Sequence, residues 1–146
     1  MTDTVEKSPP LLDQQLCFAL YSTSRAITKV YADLLADLGL TYPQYLTMLV
    51  LWEQDGLSVK QIADRLFLEG ATATPLIQRI EKLGLIEKKR SLVDERRQDV
   101  FLTAKGRSMG AHASVVPEQL GCALNISDGK ARALLAEVNR LRSAIT

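Results

Sequence analysis

The chain has 146 residues, of which 47% are hydrophobic and 24% are charged, and its formal net charge is +1. These values are typical of one globular domain that is long enough to bury a core. No run of about 18 uncharged apolar residues occurs, which excludes an ordinary membrane-spanning helix. The polar start carries no export signal, so we expect a flexible tail over residues 1–10 and a cytoplasmic protein without a membrane partner.

The first half of the chain has the periodicity of helices. Apolar residues recur at steps of three, four or seven over residues 12–38, which predicts one long helix. Residues 43–55 and 71–83 predict two more helices, and a glycine, which commonly ends a helix, follows each of the three segments. Ser58 can cap a short helix between them, so residues 58–83 have the order of a helix-turn-helix.

The second half begins with the pattern of a β-hairpin. The segments "LIEKKR" and "QDVFLT" have strand character, and the charged, turn-prone "SLVDERR" joins them. Thr103 can cap a fifth helix, whose end is disturbed by Pro117 and Gly121, and Ser127 or Asp128 opens the last helix. The predicted fold is therefore mainly α with a small β-hairpin, arranged as a winged helix-turn-helix.

Metal and disulfide chemistry is restricted by the small number of suitable side chains. The chain has two cysteines, Cys17 and Cys122, one histidine, His112, and no CxxC pair. We therefore expect no metal site and no cofactor, and we interpret His112 as an ordinary surface residue. In a reducing compartment, two cysteines do not indicate a structural disulfide framework.

Positive charge is concentrated in and around the predicted hairpin. Residues 76–107 contain nine basic and five acidic side chains, a net +4, which leaves −3 for the rest of the chain. One basic segment in a nearly neutral protein is typical of a local phosphate-binding surface. The alternative is a solvated, charged hairpin without a partner, and the helix-turn-helix beside it makes that alternative weaker.

This arrangement predicts which residues contact double-stranded DNA. The second helix of a helix-turn-helix enters the major groove by its N-terminal end. An arginine at the wing tip, Arg96, is suited to the minor groove, where narrow A·T tracts concentrate negative potential, and Asp94 can orient an arginine there. The predicted contact residues are Thr72, Thr74, Gln78, Arg79, Lys89, Arg90, Asp94, Arg96 and Arg97.

Four segments of the chain resemble a known family. "GLIEKKRSLVDERRQDVFLTAKG" resembles the winged-helix signature of MarR-type transcriptional regulators, including its D-x-R wing and its LT-x-x-G exit. "LCFALYSTSR", "YADLLADLGLTYPQYLTMLVLWE" and "TPLIQRIEKLGLI" are similar to the organic hydroperoxide resistance regulators, the OhrR branch. The similarity covers roughly residues 11–117. The chain departs from the family at "LEGATATP", where an Asp-Ser-Gly stretch is more common.

The resemblance implies a redox-sensing repressor that acts as a homodimer. It implies that Cys17 is oxidised by organic hydroperoxides, that Tyr31 and Tyr42 hydrogen-bond its sulfur, and that the operator DNA is then released. Because the chain resembles the two-cysteine members, Cys122 is the implied resolving thiol of the partner subunit. The domain is expected to span residues 11–146, with dimerisation through 11–40 and 104–146 and the winged helix-turn-helix at 57–103.

The residues alone leave the role of Cys17 open. A lone cysteine on an apolar helix face is most often a small packing residue. A position near a helix start, however, favours the thiolate. Tyr31 lies 14 residues further along the predicted helix, about 21 Å away, so a partner subunit in antiparallel orientation would have to supply it to Cys17.

Two other functions remain as alternatives. One is a MarR-type repressor that is released by a small aromatic ligand, with Cys17 incidental. The other is a thiol peroxidase, which the sequence disfavours because Cys17 lacks a Thr/Ser-x-x-Cys arrangement and most of the chain forms a DNA-binding architecture. We therefore predict a regulator and not an enzyme.

Overall fold

The structure, a computed structural model, describes residues 7–146. Most of the predicted tail, residues 1–6, lies outside the described part. No helix within the described part is both long and apolar enough to cross a membrane. The elements are α1 (Leu16–Leu35), α2 (Tyr42–Glu53), β1 (Leu57–Ser58), α3 (Val59–Arg65), α4 (Gly70–Lys82), β2 (Ile86–Arg90), β3 (Gln98–Leu102), α5 (Ala104–Ala113), α6 (Val116–Leu124) and α7 (Asp128–Ile145).

Two helices begin with reciprocal capping interactions. At the start of α2, the hydroxyl of Thr41 accepts from the backbone N–H of Gln44, whose side chain accepts from the backbone N–H of Thr41. Ser58 and Gln61 repeat this arrangement at the start of α3. Each pair satisfies backbone donors that a helix start otherwise leaves without a partner. The predicted cap at Ser58 is confirmed.

The predicted hairpin is part of a three-stranded antiparallel sheet, in the order β1-β3-β2. The prediction missed β1, because two residues are too few to show an alternating pattern. Leu57 and Lys88 both pair with Val100, which is fully buried at the centre of the sheet. The sheet thus connects the helix-turn-helix to the hairpin that forms the wing.

The predicted fifth helix is two helices, α5 and α6, and Cys122 lies in the second of them. Pro117 sits in the first turn of α6. Its nitrogen carries no hydrogen, so it cannot donate to the carbonyl of Ala113, and the α-helical ladder stops there. Proline is favoured in the first turn of a new helix, where that donor is not needed. The chain restarts in α6 for this reason.

The core lies around α2, and not around the helices at the two ends of the chain. Six residues of α2 are buried, whereas α1 buries only Leu35 and α7 buries none. The backbone of α5 approaches closely at Gly106, because a Cβ at this position would lie 2.1 Å from the carbonyl oxygen of Leu85. The largest side chains that are almost wholly buried are Leu35, Thr47, Met48, Leu51, Ile62, Ile77, Ile80, Leu85, Ile86, Val100 and Val116.

Candidate nucleic-acid interface and cysteine surroundings

The helix α4 presents its predicted contact residues to solvent. Its apolar positions, among them Ile77 and Ile80, are buried, while Thr72, Thr74, Gln78 and Arg79 are all exposed. The Thr74 hydroxyl donates to the carbonyl of Gly70 at 3.0 Å, a common use of threonine inside a helix. Because the proton of this hydroxyl is used within the helix, Thr74 offers an acceptor oxygen to solvent.

A cleft separates α4 from the wing. It has a volume of about 330 Å³ and is lined by Val59, Thr74, Ile77, Lys88, Arg90, Glu95, Arg96 and Gln98. Three of the predicted contact residues therefore share one concave surface. Lys89 does not belong to it, because neighbouring residues of a strand point to opposite faces. The Lys89 ammonium lies 3.2 Å from Glu87 and 5.5 Å from the ring centroid of Phe101.

The wing tip, residues 91–97, is held by hydrogen bonds within the loop. The buried Ser91 hydroxyl accepts from the backbone N–H groups of Val93 and Asp94, at 3.2 and 3.3 Å. The carboxylate of Asp94 accepts from the backbone N–H of Arg96 at 3.0 Å. Asp94 thus positions Arg96 through its main chain and leaves the guanidinium exposed.

Arg97 is held in a different way from Arg96. Its Nε donates to the carboxylate of Asp99 at 2.8 Å, and Asp99 itself is mostly buried. This hydrogen bond, together with the negative charge of Asp99, raises the pKa of Arg97 above its ordinary value. The pair fixes the direction of the Arg97 side chain along β3, whereas Arg96 remains available for an external anion.

Cys17 is the second residue of α1, and its side chain is exposed and forms no disulfide. Because Cys17 lies in the first turn of α1, it is near the positive end of the helix dipole. The adjacent face of α1 forms an apolar groove with α7, about 480 Å³ in volume. The groove is lined by Leu16, Ala19, Leu20, Thr23, Ser24, Ile27, Thr28, Tyr42, Leu134 and Val138.

Three tyrosines form a cluster between α1 and α2. The rings of Tyr31 and Tyr42 are stacked with centroids 4.4 Å apart, and the ring of Tyr45 lies 5.7 Å from that of Tyr31. Burial, with the nearby tyrosines, raises the pKa of Tyr31 to about 12, and burial also raises the pKa of Tyr42. Both hydroxyls therefore stay protonated near neutral pH and can donate hydrogen bonds.

Within one protomer, Cys17 and Tyr31 are separated by most of the length of α1. Fourteen residues of helix span about 21 Å, so the two side chains cannot meet. Fourteen steps of about 100° also return to within about 40° of the starting direction. Cys17 and Tyr31 are therefore on one face of α1, at opposite ends of it.

Cys122 is also exposed and forms no disulfide. It lies in a surface depression of about 490 Å³ at the junction of α6 and α7, whose polar lining includes Glu118, Asn125 and Asp128. The helix that carries it packs against α1. Within residues 7–146, no three His, Cys, Asp or Glu side chains are grouped so as to hold a metal ion.

Two features of this region were not predicted from the sequence. Leu92 and Val93 stand fully exposed at the wing tip. Asp55, just after α2, accepts from the backbone N–H of Leu102 at 2.9 Å and pairs with Arg107 at 3.2 Å. The apolar pair inside "SLVDERR" was a visible signal for the first feature. Nothing local indicated the second, because its partners lie 47 and 52 residues away.

Comparisons with known proteins agree with this architecture. A family model described as "Transcriptional regulator SarA/Rot" matches residues 29–112. The chain is 43% identical over 145 residues to the HTH-type transcriptional regulator TtmR of Methylorubrum extorquens, covering 99% of this chain and 74% of TtmR. It is 46% identical over 106 residues to the organic hydroperoxide resistance transcriptional regulator of Bacillus subtilis, covering 73% and 72% of the two chains.

A similar solved structure is that of reduced AbfR bound to DNA. The TM-score is 0.77, with 29% identity, over 92% of this chain and 95% of the other. AbfR, a protein of Staphylococcus epidermidis, has also been solved with a disulfide formed, at a TM-score of 0.61 over 92% and 89% of the two chains and with 27% identity. These likenesses confirm the predicted winged-helix fold.

Proposed function

Since this chain belongs to the SarA/Rot family of MarR-like, winged-helix transcriptional regulators, we propose that it is a DNA-binding repressor that organic hydroperoxides release by oxidising Cys17. One observation carries the proposal: Cys17 is an exposed thiol in the first turn of α1, beside an apolar groove. Its exposure leaves the sulfur accessible to a reagent, and the groove suits an apolar peroxide. The 46% sequence identity with the organic hydroperoxide resistance regulator of Bacillus subtilis also supports the sensing of organic hydroperoxides.

The DNA-binding part of the proposal uses the winged helix-turn-helix, residues 57–103. The N-terminal half of α4, which carries Thr72 and Thr74, would enter the major groove. The longer side chains of Gln78 and Arg79, one to two turns further along the helix, would reach base edges. Arg96 would enter the neighbouring minor groove. The cleft between α4 and the wing, whose lining includes the cations Lys88 and Arg90, would then face the phosphates between the two grooves.

In this proposal, the protein is a homodimer whose interface is formed by residues 11–40 and 104–146. Exposed apolar side chains on α1 and α7, including Leu16, Tyr21, Leu134 and Leu135, support this assignment. In a two-fold interface, residue i of one subunit meets residue j of the other, and j meets i. Two antiparallel α1 helices that face each other in this way would bring Cys17 next to Tyr31 of the partner subunit.

The chemistry of sensing has two steps. The thiolate of Cys17 attacks one peroxide oxygen, the O–O bond breaks, an alcohol leaves after taking up a proton, and Cys17 becomes a sulfenic acid. The thiolate of Cys122 from the partner subunit then attacks that sulfur, the S–O bond breaks, the leaving hydroxide takes up a proton to become water, and a disulfide forms. Hydrogen bonds from the hydroxyls of Tyr31 and Tyr42 would stabilise the reacting thiolate.

Disulfide formation would provide the switch. The two Cα atoms must come within about 7 Å for the bond to form. Two such bonds per dimer would displace the helices that carry them and change the spacing of the two wings, so both half-sites could no longer be held.

The test measures DNA binding before and after one equivalent of cumene hydroperoxide, with a duplex selected by the protein from random-sequence DNA. Wild type should release the duplex and run as a covalent dimer on a non-reducing gel. The Cys17→Ser variant should bind normally and ignore the peroxide. The Cys122→Ser variant should form the sulfenic acid but no covalent dimer. If Cys17→Ser still releases the duplex after treatment, the sensing site lies elsewhere.

A second candidate is release by a small aromatic ligand. A cavity of about 420 Å³ between α2 and α5, lined in part by Leu51, Trp52, Leu102 and Arg107, supports this candidate. The Trp52 ring and the apolar side chains of Leu51 and Leu102 suit a small aromatic ligand such as salicylate, while Arg107 in the same lining is paired with Asp55. Under this alternative, salicylate releases DNA from wild type and from Cys17→Ser equally, and cumene hydroperoxide releases it from neither.

A further inference from the structure

The wing tip carries two apolar side chains without any protein contact to cover them. Leu92 and Val93 have relative exposures of 104% and 95%, more than any other large apolar residue in the described part of the chain. Exposing them to water is unfavourable, by about 1.5–3 kcal/mol for a leucine relative to full burial. Two adjacent, fully exposed apolar residues at the end of a hairpin indicate a surface that binds a partner.

The exposure of this pair is built into the loop. The buried Ser91 accepts two backbone N–H groups of the loop and donates its own N–H to the carbonyl of Arg97 at 2.8 Å. The N–H of Arg97 in turn donates to the carbonyl of Asp94 at 3.0 Å. The polar groups of the tip are thus directed inward, which leaves Leu92 and Val93 on its outer end.

The pair lies among charges of both signs, with a small positive excess. Arg90 precedes it at the end of β2, and Asp94, Glu95, Arg96 and Arg97 follow it, so residues 90–97 carry three arginines and two acids, a net +1. The Asp94 carboxylate is used inside the loop, where it accepts from the backbone N–H of Arg96, and the Arg96 side chain is exposed. An apolar end with cations behind it matches the minor groove, where phosphates line the rim and sugars form less polar walls. Proteins that bind in this groove often insert leucine between base steps, which unstacks the step and bends the duplex.

We propose that Leu92 is an apolar wedge that enters the minor groove ahead of Arg96, contacts one base step and bends the bound DNA, while Val93 packs on the adjacent sugars. This inference rests on the proposed DNA-binding function of the wing. Pyrimidine–purine steps such as TA open most easily, so the wedge selects an operator with a flexible step at this position. Leu92 is thereby a specificity-determining residue that forms no hydrogen bond to a base.

The wedge and Arg96 differ in how their contributions depend on salt. An arginine that neutralises a phosphate or lies in the groove releases counterions, so its loss reduces the slope of log affinity against log salt. An apolar side chain releases none. Replacing Leu92 therefore lowers affinity at every salt concentration without changing that slope.

The experiment uses full-length protein and a fluorescent duplex selected by wild type from random-sequence DNA, with dyes at both ends to report bending. Leu92→Gln removes the apolar wedge at similar size, and Leu92→Met keeps it. Leu92→Gln should bind roughly tenfold more weakly with an unchanged salt slope, and the bend should be reduced. Leu92→Met should bind and bend like wild type. Arg96→Ala should reduce the slope.

Each contrary result has one meaning. If Leu92→Gln binds and bends the duplex like wild type while Arg96→Ala binds weakly, the wedge is wrong and the DNA-binding function stands. If wild type selects no duplex from the pool, the proposed function fails and the wedge fails with it. Loss of binding to anionic phospholipid vesicles in Leu92→Gln, with DNA binding intact, would assign the apolar tip to a membrane surface instead.

Discussion

The guanidinium carbon of Arg142 lies 4.4 Å from the centroid of the Phe67 ring. Arg142 is near the end of α7, and Phe67 is in the turn between α3 and α4. Phe67 has a φ of 55°, in the left-handed region that a bulky residue rarely adopts. The stacked guanidinium therefore holds a strained residue, and it connects the last helix of the chain to the turn that leads into α4.

We expect this contact to contribute measurably to stability. A cation–π pair at an exposed site is worth about 0.5–1 kcal/mol. A double-mutant cycle with Arg142→Ala and Phe67→Ala, measured by denaturant unfolding, should give a coupling energy of that size. Arg140→Ala is the matched control, because this exposed arginine pairs with Glu137 one turn away and should not couple to Phe67. Strict additivity of the Arg142 and Phe67 changes would contradict the prediction.

The carboxylate of Asp55 should be the most important acidic group for the stability of the sheet. Besides the bonds to Leu102 and Arg107, it accepts from the N–H of Gly56 at 2.9 Å. Asp55→Ala leaves these donors without their partner and should lower the free energy of unfolding by about 1–3 kcal/mol. Asp64→Ala removes only an exposed ion pair with Lys60 and should change the free energy of unfolding by less than about 0.5 kcal/mol. Equal effects of the two changes would argue against this role of Asp55.

Gly106 should not tolerate even one added methyl group. The Cβ of an alanine would overlap the carbonyl oxygen of Leu85, a backbone atom that already accepts from the N–H of Thr103 at 3.0 Å. Gly106→Ala should therefore cost roughly 3 kcal/mol or more, measured as a loss of thermal and denaturant stability. At Gly121, inside α6, the same change meets nothing within 4 Å and should be neutral or slightly stabilising. A Gly106→Ala protein as stable as wild type would show that the two backbones can separate.

Tyr31 should make stability depend on pH in the alkaline range. Its pKa is raised by burial to about 12 in the folded protein, from an ordinary value near 10. The folded state keeps the proton longer than the unfolded state. The stabilisation is therefore complete below pH of about 10 and is lost as the pH rises through about 12. Unfolding of Tyr31→Phe, followed between these values, should show a shallower loss of stability than wild type, and Tyr21→Phe on exposed α1 is the control. If the stabilities of wild type and Tyr31→Phe depended on pH in the same way, the prediction would be wrong.

Removing the wing arginine should weaken DNA binding without destabilising the fold. Arg96→Ala should cost about 1–3 kcal/mol of binding free energy at fixed salt, while the unfolding transition stays unchanged because the side chain is exposed. Arg140→Ala, a loss of the same charge on α7, should leave binding nearly unchanged. If the two variants bind equally, Arg96 makes no groove contact.

The elements that were predicted correctly depend on neighbouring residues. Ser58 caps α3 through a residue three positions away, and the glycine that ends α4, Gly84, takes a positive φ. Such relationships lie within one turn of chain and are visible in the sequence. The strand β1 was missed because its two residues show no alternating pattern and its partners in β3 lie more than 40 positions away.

The candidate site was predictable only in part, because only some of its features depend on residues that are neighbours in the sequence. Exposure of Thr72, Gln78 and Arg79 follows from the helical period of α4. The pairing of Arg97 with Asp99 and the back-bonded hydroxyl of Thr74 depend on side-chain rotamers, which the period does not determine. Pro117 was visible as a break, but whether a proline ends one helix or begins another depends on what the next residues pack against.

The absence of any buried residue in α7, within a single protomer, links folding to protein concentration. Helices with few buried contacts open locally at low free-energy cost, so hydrogen exchange should be fastest in α7 and slowest around Met48 of α2. Association of two subunits would bury these helices, and mass action then raises the melting temperature as the protein becomes more concentrated. The number of copies in a cell would thus set both how many operators are filled and how well the terminal helices are formed.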